Sequence, residues 1–209
     1  MRNHLIIFTR YPIPGTTKTR LIPALGAAGA ADLQRQLTEH TLEQVVGLAA
    51  DISIFFSGGN QAEMQTWLGE QWHYQPQKGE GLGDRLINAF HHSETLGYER
   101  TLIIGIDCPE ITGELLTEAF SALESHDAVF GKAHDGGYYL VGLQTVIPEL
   151  FTDMPWGTET VLAETLNRAN SFNLSSKILR TLHDIDYPED LAIWEQVQIQ
   201  KAAATKNAG

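Results

Sequence analysis

Short apolar runs bounded by glycine, proline and polar residues alternate along the chain with longer stretches of helical period. HLIIFT (4–9) is apolar and ends at a loop rich in proline and glycine, which predicts a buried strand and then a loop over residues 10–23. From Gly26 to Ala50 the positions Leu33, Leu37, Leu42, Val45 and Val46 fall near a 3.6 period, so a long amphipathic helix follows. The unit repeats with DISIFF (51–56) as strand, SGGN as turn, a short helix from Ala62 to Leu68 and another from Leu82 to Leu96. TLIIGI (101–106) has the pattern of a central strand, and GELLTEAFSALES (113–125) that of an amphipathic helix. DAVFGKA (127–133) and YYLVGL (138–143) predict strands, GTETVLAETLNRA (157–169) a helix and ILRTLHDID (178–186) a strand. PEDLAIWEQVQ (188–198) closes the pattern as a helix with Pro188 at its start.

Strands alternating with helices predict a three-layer α/β/α fold around a mostly parallel central sheet. In such sheets ligands bind beyond the carboxyl ends of the strands, near the point where strand order reverses. A motif gains weight when it falls just after a strand. No repeat or linker divides the chain, so residues 1–199 are expected to form one catalytic domain and residues 200–209 a flexible tail. At 209 residues such a domain buries a core without staples.

Charge narrows the partners. A net charge of −12 disfavours nucleic acid and anionic membrane, whose binding depends on clustered Lys and Arg. The single cysteine, Cys108, excludes an internal disulfide and any CxxC metal site. No apolar run approaches the ~20 residues that span a bilayer, and no signal peptide is recognisable, so the expected location is the cytoplasm. The N-terminal segment departs from this acidity: Arg2, Arg10, Lys18 and Arg20 precede the first acid, Asp32.

Three of those cations fall in FTRYPIPGTTKTRL (8–21), directly after the first strand. Gly15 with the small Thr16 and Thr17 lets backbone N–H groups approach an anion, and Lys18 and Arg20 supply charge, as in a phosphate cradle. The Walker pattern GxxxxGK[ST] is not matched, because its first glycine is missing. Asp107 follows TLIIGI, and Pro109 stops the strand there. A carboxylate in that position suits Mg²⁺ or Mn²⁺ on a diphosphate, or else a cap on the following helix near Thr112. In KAHDGGYYLVGL, Gly136 and Gly137 form either a plain hairpin turn or a close approach of backbone to ligand, with Asp135 as base or acceptor contact. Asp184 and Asp186 alternate on the predicted strand 178–186, so only one should face the crevice. Asp186 is the choice for a second metal ligand, against its use as a helix cap with Glu189. Gly81 and Arg85 in QKGEGLGDRL are a weaker signal. Zinc spacing and the GxSxG elbow are both absent.

Taken together, F-T-R-x-P-x-P-G-x-x-K-T-R-L, G-I-D-C-P, D-G-G-Y-Y-L-V-G-L and D-I-D-Y-P-E-D-L resemble a bacterial family of nucleotide-diphospho-sugar transferases with the GT-A fold, some of whose members are linked to arsenosugar synthesis. The likeness runs in order from Leu5 to Trp194 and extends more distantly to molybdenum-cofactor and phospholactate guanylyltransferases. The resemblance implies a nucleotide site at Thr9, Arg10, Gly15, Lys18, Thr19 and Arg20, with Gly81 and Arg85. It implies Mg²⁺ or Mn²⁺ on Asp107, with Asp186 as second ligand, since the third position of the usual Asp-x-Asp is Pro109 here. Tyr138, Trp156 and Thr158 would lie on the acceptor side, and Asp135 or Glu159 would act as base. The implied activity is metal-dependent transfer of a sugar from a nucleotide-diphosphate donor to a small-molecule acceptor; a homodimer is compatible with it. A nucleotidyltransferase releasing pyrophosphate and a non-catalytic nucleotide-binding module stand as alternatives.

Overall fold

The structure is a computed structural model that describes residues 2–207. Seven strands form one sheet: β1 (Asn3–Arg10), β2 (Asp51–Ser57), β3 (His73–Pro76), β4 (Arg100–Ile104), β5 (Ala128–Ala133), β6 (Tyr138–Leu143) and β7 (Ser176–Leu182). Six helices flank it: α1 (Ile22–Gln44), α2 (Gln61–Leu68), α3 (Leu82–Thr95), α4 (Gly113–Ala122), α5 (Val161–Ser171) and α6 (Leu191–Asn207). The strand order is β3-β2-β1-β4-β6-β5-β7. Pairing is parallel except at β6, which runs antiparallel to both β4 and β5.

The order fixes where a ligand can sit. From β1 the chain winds outward to β2 and β3, then returns to the other side of β1 as β4, so the β1/β4 boundary is the switch point. Because β6 is antiparallel, the Asp135–Gly137 turn at its start lies on the same edge as the carboxyl ends of β1, β4 and β7.

Alternate residues of the central strands feed two cores, as the two-residue period of a strand requires. Leu5, Ile7, Leu102 and Ile104 pack under α1, α2, α4 and α6 with Leu37, Met64, Phe120 and Trp194. Ile6, Ile103, Phe130 and Val141 face the other way, against Phe90 of α3, Leu162 of α5 and Phe151. This is the three-layer α/β/α arrangement with a mostly parallel sheet that the pattern predicts.

The elements depart from expectation in five places. The helix expected at 26–50 starts at Ile22, bends at Gly26 (φ 69°) and ends at Gln44; Val46 is 76 % exposed and belongs to no buried stripe. Strand β3, four residues on the sheet edge, carries too little apolar pattern to be predicted. Helix α5 starts at Val161 rather than 157, leaving Trp156–Thr160 as a loop. Strand β7 ends at Leu182, so the Asp184/Asp186 alternation expected on a strand does not apply. Helix α6 continues through residues 200–207 of the expected tail, while 208 and 209 lie outside the described residues.

Candidate active site

A cavity of about 700 Å³ opens over the switch point, walled by the ends of β1, β4, β5 and β6 and by Asp184 and Asp186. Its first wall is the loop after β1. Pro12 and Pro14 lack backbone donors and hold φ near −65°, while Gly15 takes φ 85°. Thr16 N–H and Oγ1–H both donate to the Ile13 carbonyl, at 3.1 and 3.0 Å, curling the loop back over the strand ends. Lys18 then adopts a left-handed conformation, φ 47° and ψ 44°, unusual for a residue with a Cβ.

That turn sends the Lys18 side chain inward, where only 5 % of it remains exposed. Its ammonium lies 2.5 Å from Asp107 Oδ1 and 3.4 Å from Asp186 Oδ1, and donates to the Ile185 carbonyl. Burial alone would depress the Lys18 pKa, but the charges of Asp107 and Asp186 prevail and hold it above the ordinary lysine value. Arg20 Nη1 donates to Asp186 Oδ2 at 2.8 Å, and its guanidinium lies over the Tyr187 ring. Ile185 N–H donates to the Asp107 carbonyl at 2.9 Å, so the segment after β7 is tied to the segment after β4. Neither acid serves as a helix cap. Thr112 caps α4, and Asp190 accepts from the N–H groups of Asp186 and Tyr187.

On the β2–β3 side, Arg10 donates to the Thr16 carbonyl at 2.9 Å, and Arg85 to the Gly79 carbonyl at 3.2 Å. On the β5–β7 side, Asp135 Oδ1 accepts from Gly137 N–H at 2.8 Å. Gly136, at φ 92°, is required there: a Cβ would stand 2.1 Å from the Glu159 carbonyl oxygen. This contact seats the Trp156–Thr160 loop against the turn, with Trp156 edge-on to Tyr138 at 6.1 Å. The Tyr138 hydroxyl is buried away from water, which pushes its pKa well up and makes it a poor acid.

Of the residues expected from sequence, Thr9, Arg10, Lys18, Thr19, Arg20, Arg85, Asp107, Asp135, Tyr138, Trp156, Thr158 and Asp186 line this cavity. Gly15, Gly81 and Glu159 do not. Gly15 shapes its loop, Gly81 precedes α3, and Glu159 meets Gly136 through its backbone. Thr9 is 4 % exposed, and its hydroxyl is engaged by Thr38 and Gln34, a floor role rather than a ligand contact. Sequence reasoning missed Gln34, Ser57 and Gln77 on the wall, although Ser57 directly follows the DISIFF strand and Gln77 opens QKGEGLGDRL. It also set Asp184 aside on the strand alternation, whereas both Asp184 and Asp186 line the cavity. Past Leu182 the backbone is irregular, and the buried Ile185 between them is the residue that turns away. Asp184 is half-buried, and that burial, reinforced by the charges of Asp135, Asp186 and Asp107, raises its pKa. Cys108 is buried, which pushes its thiol up and removes it as a nucleophile.

The matching family model covers residues 29–158 and is described as "Uncharacterized protein conserved in bacteria (DUF2064)". The chain belongs to this family. A solved structure from Desulfovibrio desulfuricans G20, described as a "putative nucleotide-diphospho-sugar transferase", is 32% identical to this DUF2064 member. The alignment covers 90% of this chain and 84% of that one with a TM-score of 0.85. Two remoter structures share the fold. A 4-diphosphocytidyl-2C-methyl-D-erythritol synthase from Anaerococcus prevotii is 13% identical, with a TM-score of 0.62 over 95% of this chain and 96% of that one. An inositol-1-phosphate CTP transferase from T. maritima is 14% identical, with a TM-score of 0.61 over 95% of each chain. No protein with curated annotation matches. Among the described residues no helix is long and apolar enough to cross a membrane.

Proposed function

We propose that this DUF2064 member is a transferase that binds a nucleotide-diphosphate sugar across the switch point and passes the glycosyl group to a small acceptor. The observation that carries this reading is the convergence of Lys18, Arg20, Asp107 and Asp186 at the carboxyl ends of β1 and β4. The likeness to the Desulfovibrio protein supports it.

The donor set suits a hard divalent cation. Asp107 and Asp186 already direct oxygens at one cationic point, the Lys18 ammonium, and both keep exposed surface. Among the described residues no three His, Cys, Asp or Glu side chains gather as a closed cage. Mg²⁺ or Mn²⁺ is commonly held by one or two carboxylates plus ligand phosphates, and Asp107 and Asp186 would be those carboxylates. Bound there, the ion would supply neutralisation of the departing diphosphate.

The remaining work falls to side chains. Lys18, Arg20 and Arg10 attract and orient the diphosphate, and their charges are placed before the reaction starts. For an inverting transfer, the acceptor hydroxyl oxygen bonds to the anomeric carbon as the bond from that carbon to the phosphate oxygen breaks. The nucleoside diphosphate leaves with the electron pair, and the hydroxyl proton passes to a carboxylate. Asp135 suits that role better than Glu159, because only Asp135 lies on the cavity wall, with one oxygen held by Gly137 and the other free of that bond.

The test is calorimetric titration with a panel of nucleotide-sugars, with and without Mg²⁺ or Mn²⁺, followed by incubation with acceptors. Metal-strengthened binding and release of nucleoside diphosphate are expected. Pyrophosphate release from a nucleoside triphosphate would instead favour nucleotidyl transfer. Binding without turnover of any donor would favour a non-catalytic module, and no binding across the panel would refute the proposal.

A further inference from the structure

The cavity is electrically divided. Its lining cations, Arg10, Lys18, Arg20 and Arg85, come from the end of β1, the loop after it and the start of α3, on the side of β1, β2 and β3. Its lining acids, Asp107, Asp135, Asp184 and Asp186, come from the segments after β4, β5 and β7. Where the halves meet, Lys18 is shared by Asp107 and Asp186, and Arg20 also pairs with Asp186. Beyond that seam the acids are uncompensated. Among the described residues Asp135 and Asp184 have no Lys or Arg ion pair, and the nearby imidazoles of His134 and His183 stack on each other off the cavity wall.

Two aromatic side chains complete the acidic half. Tyr138 lies at the start of β6, and Trp156 is carried by the loop that Gly136 seats against the Asp135 turn. Carboxylates beside aromatic rings accept hydroxyl and ammonium groups, and the rings give a surface for a sugar face or a cation. They repel a phosphate, which needs basic side chains or free N–H donors. Gly137 N–H, on the turn that carries Asp135, is already taken by that carboxylate.

We propose, resting on the transferase reading above, that the acceptor of this enzyme carries no phosphate and is a neutral or ammonium-bearing hydroxyl compound, selected by Asp135 and Asp184 beside Tyr138 and Trp156. This opposes a phosphorylated acceptor, which the nucleotidyl-transfer alternative requires. It also gives Asp184 a role in specificity, distinct from the metal and the diphosphate.

The test compares matched probes on protein saturated with nucleoside diphosphate and Mg²⁺. Saturation-transfer NMR is recorded for methyl glucoside against glucose 6-phosphate, and for glucosamine against glucosamine 6-phosphate. In wild type the unphosphorylated member of each pair should give the stronger signal by about fivefold or more. In Asp184→Asn, and further in Asp135→Asn/Asp184→Asn, the ratio should move toward one as the phosphorylated member gains access. Equal response within pairs in wild type, including no response from either member, overturns the inference, as does a ratio unchanged in both variants. Nucleotide titration of the same samples tests the underlying reading separately: its failure removes the transferase proposal, whereas bound nucleotide with unseparated pairs removes only the acceptor assignment.

Discussion

Replacing Lys18 by methionine keeps much of the side-chain volume and deletes the ammonium on which Asp107 and Asp186 converge. At 2.5 Å the gross attraction between Lys18 and Asp107 is roughly 7 kcal/mol for an effective dielectric constant near 20. Most of that offsets the cost of burying a side chain only 5 % exposed, and water screens Asp107 and Asp186, which are 46 % and 34 % exposed. The net loss expected is therefore about 1–3 kcal/mol, below the 3–5 kcal/mol typical when a fully buried pair is broken. Urea unfolding of Lys18→Met, Asp107→Asn and the double variant isolates the pair, and a coupling of about 1 kcal/mol or more is expected. Nucleoside-diphosphate affinity of Lys18→Met should fall about tenfold or more, since a charge-assisted bond to phosphate is lost. A coupling near zero refutes the structural half of the argument. Wild-type nucleotide affinity in Lys18→Met refutes the functional half and returns the loop to a surface role.

Gly136→Ala should lower stability by about 2–4 kcal/mol, read as a drop in thermal midpoint, because φ 92° and a contact of 2.1 Å to the Glu159 carbonyl oxygen leave no room for a methyl group. A midpoint within a degree of wild type would show that the Trp156 loop is not seated on this turn. His4 is fully buried between Ser93 and Ser53 Oγ atoms at 2.7 and 2.8 Å, and its pKa is lowered to about 4, chiefly by burial. The unfolded chain binds that proton more readily, so this contribution is fully present above pH 6.5 and is lost as pH falls toward 4. The loss is on the order of 3 kcal/mol, and His4→Gln should flatten the acid limb of a stability–pH curve; an unchanged limb would assign it to other groups. Asp107→Asn should abolish the strengthening of nucleotide binding by Mg²⁺ or Mn²⁺ in calorimetry, and metal dependence equal to wild type would move the ion elsewhere.

How much of this was legible in the sequence depends on the range of the interactions involved. Strands β1, β4 and β6 announce themselves through short apolar runs, because burial on both faces favours apolar side chains. Strand β3 does not: it is an edge strand held by pairing to β2, and only Tyr74 among its residues is buried. The α1 boundary failed for a local reason, since Gly26 allows a bend within a helix that the apolar period treats as a start. In the site, residues directly after strands were legible because strand ends point at the crevice in any sheet of this class. The direction of Asp184 was not, because the two-residue alternation holds only while the backbone stays extended, and β7 stops at Leu182.

The larger gap concerns Lys18. Sequence reasoning placed its charge correctly after β1 and treated it as free for an anion, because 168 residues separate it from Asp186 and 89 from Asp107. Only the sheet order brings them together: β4 returns beside β1, and the segment after β7 folds over β4 through the Ile185–Asp107 bond. On the proposed reading, phosphate binding would proceed against an existing ion pair, with Lys18 and Arg20 exchanging carboxylate for phosphate oxygens. A ligand has to repay part of that loss, so affinity should depend less on the number of cations than on how completely the diphosphate replaces Asp107 and Asp186 around them. Arg10 carries no carboxylate partner among the described residues and lacks this cost. Arg10→Ala should consequently weaken nucleoside-diphosphate binding without the stability loss of Lys18→Met. Comparing the two variants by calorimetry and urea unfolding separates cations that bind ligand from one that also holds the strand ends together; equal stability losses would refute the distinction.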